Sequence, residues 1–303
     1  MHITAITTDP LSEVTDLLVI PSWGEEKSLS AIALKINKAI GGRMLDVIAT
    51  ESFENKEGES KLIRADGSTN AKNILLISVG KKPLSTASAR KMAALVTVRA
   101  RECCAKTVSV IVPEQLKENL LNTIKALTEG AILGDYRFFK YKEEELKKYT
   151  EQQIETLTFV LSKGQKTAQA EKGINQGMLY SRGTIFARGL VNEPASTMTP
   201  KHLVDIAKTL ADAHAKKISL KVLDQQAMEK IGMGGVLAVA RGSEEAPYLV
   251  HLTYTPSGKA KKCVVVVGKG ITFDSGGLSL KPAEHMEDMK IDMAGCAAML
   301  GLF

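Results

Sequence analysis

Two lysines and two carboxylates follow one of the most apolar runs of the chain. The apolar run is 263–267 (Cys-Val-Val-Val-Val), and the charged residues are Lys269, Asp274, Lys281 and Asp292. Lysine and aspartate almost never go inside a protein unpaired, because desolvating an ion costs several kcal/mol or more. Divalent cations would resolve the conflict, since they hold carboxylates ionised and can draw a buried lysine into its neutral, coordinating form. These residue types and spacings therefore indicate a metal site.

The surrounding pattern predicts where this site lies. The run 263–267 is typical of a strand buried on both faces, as in a parallel sheet. Glycines break regular structure where that strand should end, at Gly268, Gly270, Gly276 and Gly277. Open α/β sheets build their sites at the carboxyl ends of strands. Paired glycines also permit backbone conformations that let a loop fold closely around an ion.

Three segments carry a resemblance to a known family. The run 267–282, Val-Gly-Lys-Gly-Ile-Thr-Phe-Asp-Ser-Gly-Gly-Leu-Ser-Leu-Lys-Pro, and its continuation 286–293 resemble the leucyl aminopeptidase (cytosol aminopeptidase) family very closely. The segment 190–195 with Thr199-Pro200 resembles the start of its catalytic domain, and 133–138 a recurring part of its amino-terminal domain. The resemblance covers roughly residue 130 to the end and is strongest after residue 262.

The resemblance implies a role for five residues. Lys269, expected to be buried between glycines, is a neutral amine ligand of the tighter metal, and Asp274 is a bridging carboxylate. Asp292 ligates the metal that also takes the free amine of the substrate. Lys281 stays protonated and binds the scissile carbonyl oxygen, while Met289 lines the apolar pocket for the first substrate side chain. Plainer interpretations stay open: loop lysines, a turn aspartate, a helix cap and a core methionine.

The implied activity is that of a metal-dependent leucyl aminopeptidase, a hydrolase that releases amino-terminal residues, preferentially leucine, from peptides. Two divalent ions, zinc or manganese, would activate a water molecule. The implied partners are peptide substrates and, for a full-length protein, five further copies in a homo-hexamer. The alternative is a catalytically inactive truncated chain that serves as a binding or assembly module. Metal content and hydrolysis of leucine amide would separate the two.

One part of the family pattern does not occur in this sequence. The second ligand segment of the family has an aspartate, a glutamate two residues later and an arginine beyond them, and no such segment is present. Three of the five implied metal ligands therefore occur here. The apolar run 297–303 also carries no helix-ending signal. We expect a truncated chain with negligible peptidase activity on its own.

Strand and helix patterns alternate along the first half of the chain. Strands are predicted at 17–20, 73–79, 107–112, 156–161, 218–222 and 248–254, and helices at 28–39, 85–101, 113–134, 171–191 and 202–214. Alternation of this kind predicts an α/β fold with a mainly parallel sheet flanked by helices. The polar segment 162–169 sets the expected boundary between an amino-terminal α/β domain (1–165) and a connecting helix with a partial α/β catalytic domain (166–303).

The composition of the chain limits the expected cellular compartment of the protein and the expected classes of binding partner. The hydrophobic fraction is 44% and the charged fraction 24%, as in soluble globular proteins. The sequence has no apolar run long enough for a membrane helix, no secretory signal pattern and no disulfide framework, so we expect a cytoplasmic protein without a membrane partner. The net charge is +6, but the lysines are scattered among acidic residues, and we expect no nucleic-acid partner.

Overall fold

The computed structural model describes residues 1–24 and 29–303, which form two compact units. The first unit is Met1–Ser181 and the second is Arg182–Phe303. The division falls within a long helix, Thr167–Asn192. A domain boundary at residue 165 stays a prediction. Among the described residues, no helix combines the length and the hydrophobicity that crossing a bilayer requires.

The described elements are numbered separately as strands and helices. The strands are β1 His2–Thr7, β2 Thr15–Ser22, β3 Ser60–Arg64, β4 Ala71–Ser78, β5 Thr107–Ile111, β6 Thr156–Leu161, β7 Ile218–Leu223 and β8 Leu249–Tyr254. The helices are α1 Ala31–Ala39, α2 Arg43–Thr50, α3 Thr86–Glu102, α4 Leu120–Asp135, α5 Glu143–Glu151, α6 Thr167–Asn192, α7 Pro200–Ala213, α8 Gln225–Lys230, α9 Gly234–Ala240, α10 Ala283–Met286 and α11 Ala294–Leu302.

The sheet of the first unit is mainly parallel, which confirms the predicted fold class. Its strand order is β1-β6-β5-β2-β4-β3. Strand β3 is antiparallel to β4, and the other strand pairs are parallel. The outer strand β1 pairs with β6, from His2 opposite Thr156 to Thr7 opposite Leu161.

Helices cover both faces of this sheet. Along β2, Leu17 and Val19 pack with residues of α3, α4 and the start of α6, whereas Leu18 and Ile20 pack with α1 and α2. All four side chains are fully buried. Successive side chains of a strand point to opposite faces, so a continuous apolar run supplies two cores at once.

The second unit contains a smaller sheet of two antiparallel strands, β7 and β8. Helix α7 begins after Thr199, whose hydroxyl accepts a hydrogen bond from the His202 N–H at 3.3 Å. The core of this unit joins α7 to α11 through apolar side chains that include Leu203 and Leu300. Helix α11 also crosses α6 closely, because a Cβ on Gly301 would lie 2.6 Å from the carbonyl oxygen of Gly183.

Three sequence-based expectations differ from the structure. The strand predicted at 263–267 is wrong: residues 264–267 are exposed and pair with no strand of the described chain. A strand exists only through hydrogen bonds to a neighbour, and neither β7 nor β8 provides one here. The helix predicted from Pro113 begins only at Leu120, where Asn119 caps it. The outer strands β1 and β3 were not predicted, and the predicted helix start at Ser28 lies outside the described residues.

Candidate active site

The segment that carries Lys269 lies against the start of α11. The Cys296 N–H donates a hydrogen bond to the Lys269 carbonyl oxygen at 2.7 Å. A Cβ on Gly268 would lie 2.4 Å from the carbonyl oxygen of Gly295. Two glycines are therefore needed where this extended segment meets the helix, and their contact fixes the backbone that presents Lys269.

A closed loop brings Lys281 back to Asp274. The Asp274 carboxylate accepts a hydrogen bond from the Gly276 N–H at 2.9 Å, and the Lys281 N–H donates to the Ser275 carbonyl oxygen at 2.9 Å. Gly276 has a φ of +89°, a conformation that residues with a Cβ rarely adopt. The paired glycines, Gly276 and Gly277, thus lie in the turn that the sequence predicts.

Two ion pairs join the four charged residues. Lys269 Nζ lies 2.9 Å from Asp292 Oδ1, and Lys281 Nζ lies 2.9 Å from Asp274 Oδ2. The structure therefore brings together all four charged residues singled out from the sequence. The assignment of lysine to carboxylate depends on how the loops close, and the residue spacing did not predict it.

The ion pairs shift the pKa values of two groups. The Asp292 carboxylate, which accepts a hydrogen bond from Lys269, raises the pKa of this lysine, and the charge of Asp274 adds to the effect. Hydrogen bonds from Lys281 and from the Gly276 N–H lower the pKa of Asp274, with a further contribution from the charge of Lys269. Each pair therefore lies close enough to act on the charges of the other.

The expected burial of Lys269 is wrong, because its side chain is 56% exposed. The segment before it does not enter a sheet, so no strands enclose the lysine. Its pKa is raised rather than lowered in the absence of a metal ion. Its role as a neutral amine ligand stays a prediction.

Asp292 is the most enclosed of the four charged side chains, at 18% exposed. It lies in a 3₁₀ turn, Met289–Met293, that leads directly into α11. Its Oδ2 atom is buried and accepts no hydrogen bond from any residue that the structure describes. A buried carboxylate oxygen without a donor is costly, and a cation would offset that cost. The residues present therefore fit a bound metal ion on one side of Asp292.

Clusters of conventional ligands are not formed by the residues that the structure describes. Within residues 1–24 and 29–303, no three histidine, cysteine, aspartate or glutamate side chains converge in a way that could hold a metal ion. A site in this part of the chain would need a lysine nitrogen, or ligands from additional residues, beside Asp274 and Asp292.

Met289 contacts Lys281 instead of the core of the second unit. Its Sδ atom lies 3.0 Å from Lys281 Nζ and accepts a hydrogen bond from it. The side chain is partly exposed, whereas Met198 and Met293 fill the core. A role of Met289 in a substrate pocket stays a prediction. Residue spacing did not predict the contact of Met289 with Lys281, and it did not single out the adjacent Lys290.

Two profiles of one family match most of the chain. The profile described as "Cytosol aminopeptidase family, N-terminal domain" matches residues 19–145, and "Cytosol aminopeptidase family, catalytic domain" matches residues 185–303. A probable cytosol aminopeptidase of Nitrosococcus oceani is 37% identical over 305 residues, covering 99% of this chain and 59% of the relative. One of Roseiflexus castenholzii is 35% identical over 302 residues, with the same two coverages. The chain thus spans about 59% of the length of these curated relatives.

Solved structures show the same similarity. A mutant of tomato leucine aminopeptidase has a TM-score of 0.85 and 28% identity, covering 99% of this chain and 58% of the solved chain. The bottromycin maturation enzyme BotP, solved in complex with Mn, has a TM-score of 0.71 and 26% identity over 94% of this chain and 55% of its own. This chain is therefore similar in fold to 58% and 55% of these two solved chains.

Proposed function

The chain belongs to the cytosol aminopeptidase family, and on that premise we propose that it supplies part of the active site of a metal-dependent aminopeptidase. The single observation that carries the proposal is the four-charge cluster of Lys269, Asp274, Lys281 and Asp292, with one Asp292 oxygen buried and unpaired. Surface ion pairs alone do not explain that oxygen, because a purely structural carboxylate would satisfy both of its oxygens or expose them.

The proposed metal ligands are Lys269, Asp274 and Asp292. Both carboxylates already face a cationic nitrogen at 2.9 Å, so each is placed to accept positive charge. When bound, two divalent ions, zinc or manganese, would supply Lewis-acid activation of a water nucleophile. The Mn complex of BotP supports manganese as a candidate.

Lys281 is proposed to bind the scissile carbonyl oxygen of a peptide. An ammonium group has three N–H donors, and Asp274 and Met289 accept from two of them. The third would donate to the carbonyl oxygen as negative charge develops there. Because Asp274 and Met289 fix the Lys281 Nζ position beforehand, little reorganisation accompanies the reaction, which is the condition for effective electrostatic stabilisation.

The substrates proposed for the whole protein are peptides with a free amino terminus, preferentially leucine. Met289, whose Sδ atom lies 3.0 Å from Lys281 Nζ, would contact the first side chain of the substrate through its apolar methyl end. Assembly as a homo-hexamer and a cytoplasmic location are further family-level proposals. The relatives named cytosol aminopeptidase support the location.

The test compares the 303-residue chain with a chain continued through a second ligand segment of the family type. We expect the continued chain to hydrolyse leucine amide and the 303-residue chain to be far slower. Each of the two metal ions needs its own ligands, and the 303-residue chain contains only three of the five ligands that the family pattern implies. In the continued chain, Lys281→Ala should lower kcat about 100-fold and leave the bound metal unchanged. Lys259→Ala, in an exposed loop, is the matched control and should have no effect. Near-normal turnover of Lys281→Ala would remove this lysine from the mechanism.

Metal content separates this proposal from a purely structural or binding role. A chain that carries every ligand yet retains no divalent ion after dialysis, and hydrolyses no leucine amide, would identify the protein as a non-catalytic module.

A further inference from the structure

Lys290 lies beside the candidate site but is bonded to a different element. Its Nζ atom donates a hydrogen bond to the carbonyl oxygen of Asn192 at 3.1 Å, and the side chain is partly buried. Asn192 is the last residue of α6. The last carbonyls of a helix lack partners within the helix and carry its partial negative charge, so a lysine ammonium is favoured there.

The 3₁₀ geometry of Met289–Met293 sorts its side chains onto three faces, about 120° apart. With three residues per turn, positions three apart lie on the same side. Met289 and Asp292 form one such pair, and they contact Lys281 and Lys269 of the site.

Lys290 and Met293 form the other pair. Lys290 bonds the end of α6, and Met293 is fully buried in the core of the second unit. The turn is therefore attached to the protein through one face and presents a different face to the site. Loss of either attachment would let the turn rotate and carry Asp292 with it.

We propose that Lys290 is a positioning residue that fixes the turn on the end of α6, so that the unpaired oxygen of Asp292 stays aimed at a bound divalent cation. This inference rests on the proposed metal site. Lys290 touches neither the cation nor the substrate and acts through Asp292. The role requires a long cationic side chain that reaches a carbonyl oxygen, which arginine can supply and methionine cannot.

The experiment uses the 303-residue chain and Mn²⁺ alone as the probe. Water-proton relaxation measures Mn²⁺ affinity, including weak binding, and hydrogen–deuterium exchange measures the protection of amides 289–296. The variants are Lys290→Met, Lys290→Arg and Asp292→Asn, with Lys259→Met as the matched surface control. Amides of α7 report whether the second unit is still folded.

Lys290→Met should weaken Mn²⁺ binding about 10-fold or more, the usual range for residues that orient a metal ligand, and should speed exchange at 289–296 but not in α7. Lys290→Arg should restore both, and Lys259→Met should change neither. If Lys290→Met speeds exchange but leaves the Mn²⁺ affinity unchanged, Lys290 only stabilises the turn. That result would overturn the positioning role and leave the proposed metal site standing. Absence of Mn²⁺ binding by the unmodified chain would overturn the proposed metal site, and the positioning role with it.

Discussion

Each of the two units contains a short apolar run, but the run of the first unit is buried and that of the second unit is exposed. In the first unit, the Ile-Leu-Leu-Ile run 74–77 of β4 is at most 1% exposed. In the second unit, the valines at 264–267 are 47–89% exposed. Strand β4 pairs with β2 on one side and β3 on the other, and helices cover its faces. The valine run pairs with no strand in the part of the chain that the structure describes.

The contrast shows that an apolar run is buried only where other strands and helices can pack against it. Burying a Val, Leu or Ile side chain contributes about 1.5–3 kcal/mol, but the backbone must find hydrogen-bond partners in the same place. Unit 1 meets both conditions within its own residues. The valine run of unit 2 meets neither, and the adjacent Lys269 is exposed as a result.

Truncating one side chain in each run tests this contrast most strongly. Leu76→Ala should lower the free energy of unfolding of unit 1 by about 2–5 kcal/mol, because it leaves a cavity in a packed core. Val265→Ala should change stability by less than about 0.5 kcal/mol. Trp23, the single tryptophan, is buried in unit 1, so its fluorescence during urea unfolding reports on that unit. Hydrogen exchange of unit 2 peptides reports on Val265→Ala. Equal losses would show that the valines are buried in solution.

A second pair of variants compares a satisfied carboxylate with the unsatisfied one. Asp16 accepts hydrogen bonds from the Lys106 and Thr107 N–H groups, each at 2.9 Å, and pairs with Lys72. Burial acts to raise the pKa of Asp16, but the hydrogen bonds together lower it to about 2. The stabilisation is therefore present above the unfolded pKa of about 3.9 and is lost as the pH falls through about 2. Asp16→Asn should cost about 2 kcal/mol at pH 7.

The matched change in unit 2 is Asp292→Asn. Its ion-pair partner Lys269 is largely exposed, so the loss should be below about 1 kcal/mol. Urea unfolding between pH 7 and pH 2 should show the Asp16→Asn chain converging on the unmodified chain as the pH falls. A difference that persists at the acidic end would mean that the hydrogen bonds of Asp16 do not depend on its charge.

The last and smallest contrast is between a partly buried tyrosine of unit 1 and an exposed one of unit 2. Tyr149 donates a hydrogen bond to Asp135 Oδ2 at 2.8 Å, and burial together with this bond raises the pKa of Tyr149 to about 12. Tyr149→Phe should cost about 1 kcal/mol, whereas Tyr254→Phe should be neutral. The contribution of Tyr149 is complete below pH 10 and is lost between about pH 10 and 12.

Phenolate absorbance checks this assignment directly. One tyrosine of the unmodified chain should ionise near pH 12, and that step should disappear in Tyr149→Phe but persist in Tyr254→Phe. If no tyrosine of the unmodified chain ionised near pH 12, the Tyr149 side chain would be exposed to water.

The sequence predicted the four central strands of the sheet in unit 1 because their signals are local. The strand predicted at 156–161 has the observed bounds, and α3 begins directly after its Ser85 cap. Strand β1 was missed because threonines interrupt its short apolar pattern. The error at 263–267 had a different cause, since strand formation there depends on residues far away in the chain.

For the candidate site, the sequence identified the charged residues but not their geometry. Glycine spacing predicted the turn after Asp274, since that information is local. The exposure of Lys269 and the unpaired oxygen of Asp292 depend on contacts between distant segments, such as the hydrogen bond from Cys296 to Lys269. A pattern of residue types does not encode those distances.

The pairing of β1 with β6 has a consequence for synthesis of the chain. Thr4 and Thr158 are neighbours in the sheet although 154 residues separate them. At translation rates of about 5–20 residues per second, roughly 8–30 s pass between the synthesis of β1 and that of the strand that pairs with it. During that interval β5 also exposes the edge that β6 will cover, and such unpaired edges favour association with other chains. The nascent chain is therefore most in need of chaperone protection just before residue 161 leaves the ribosome.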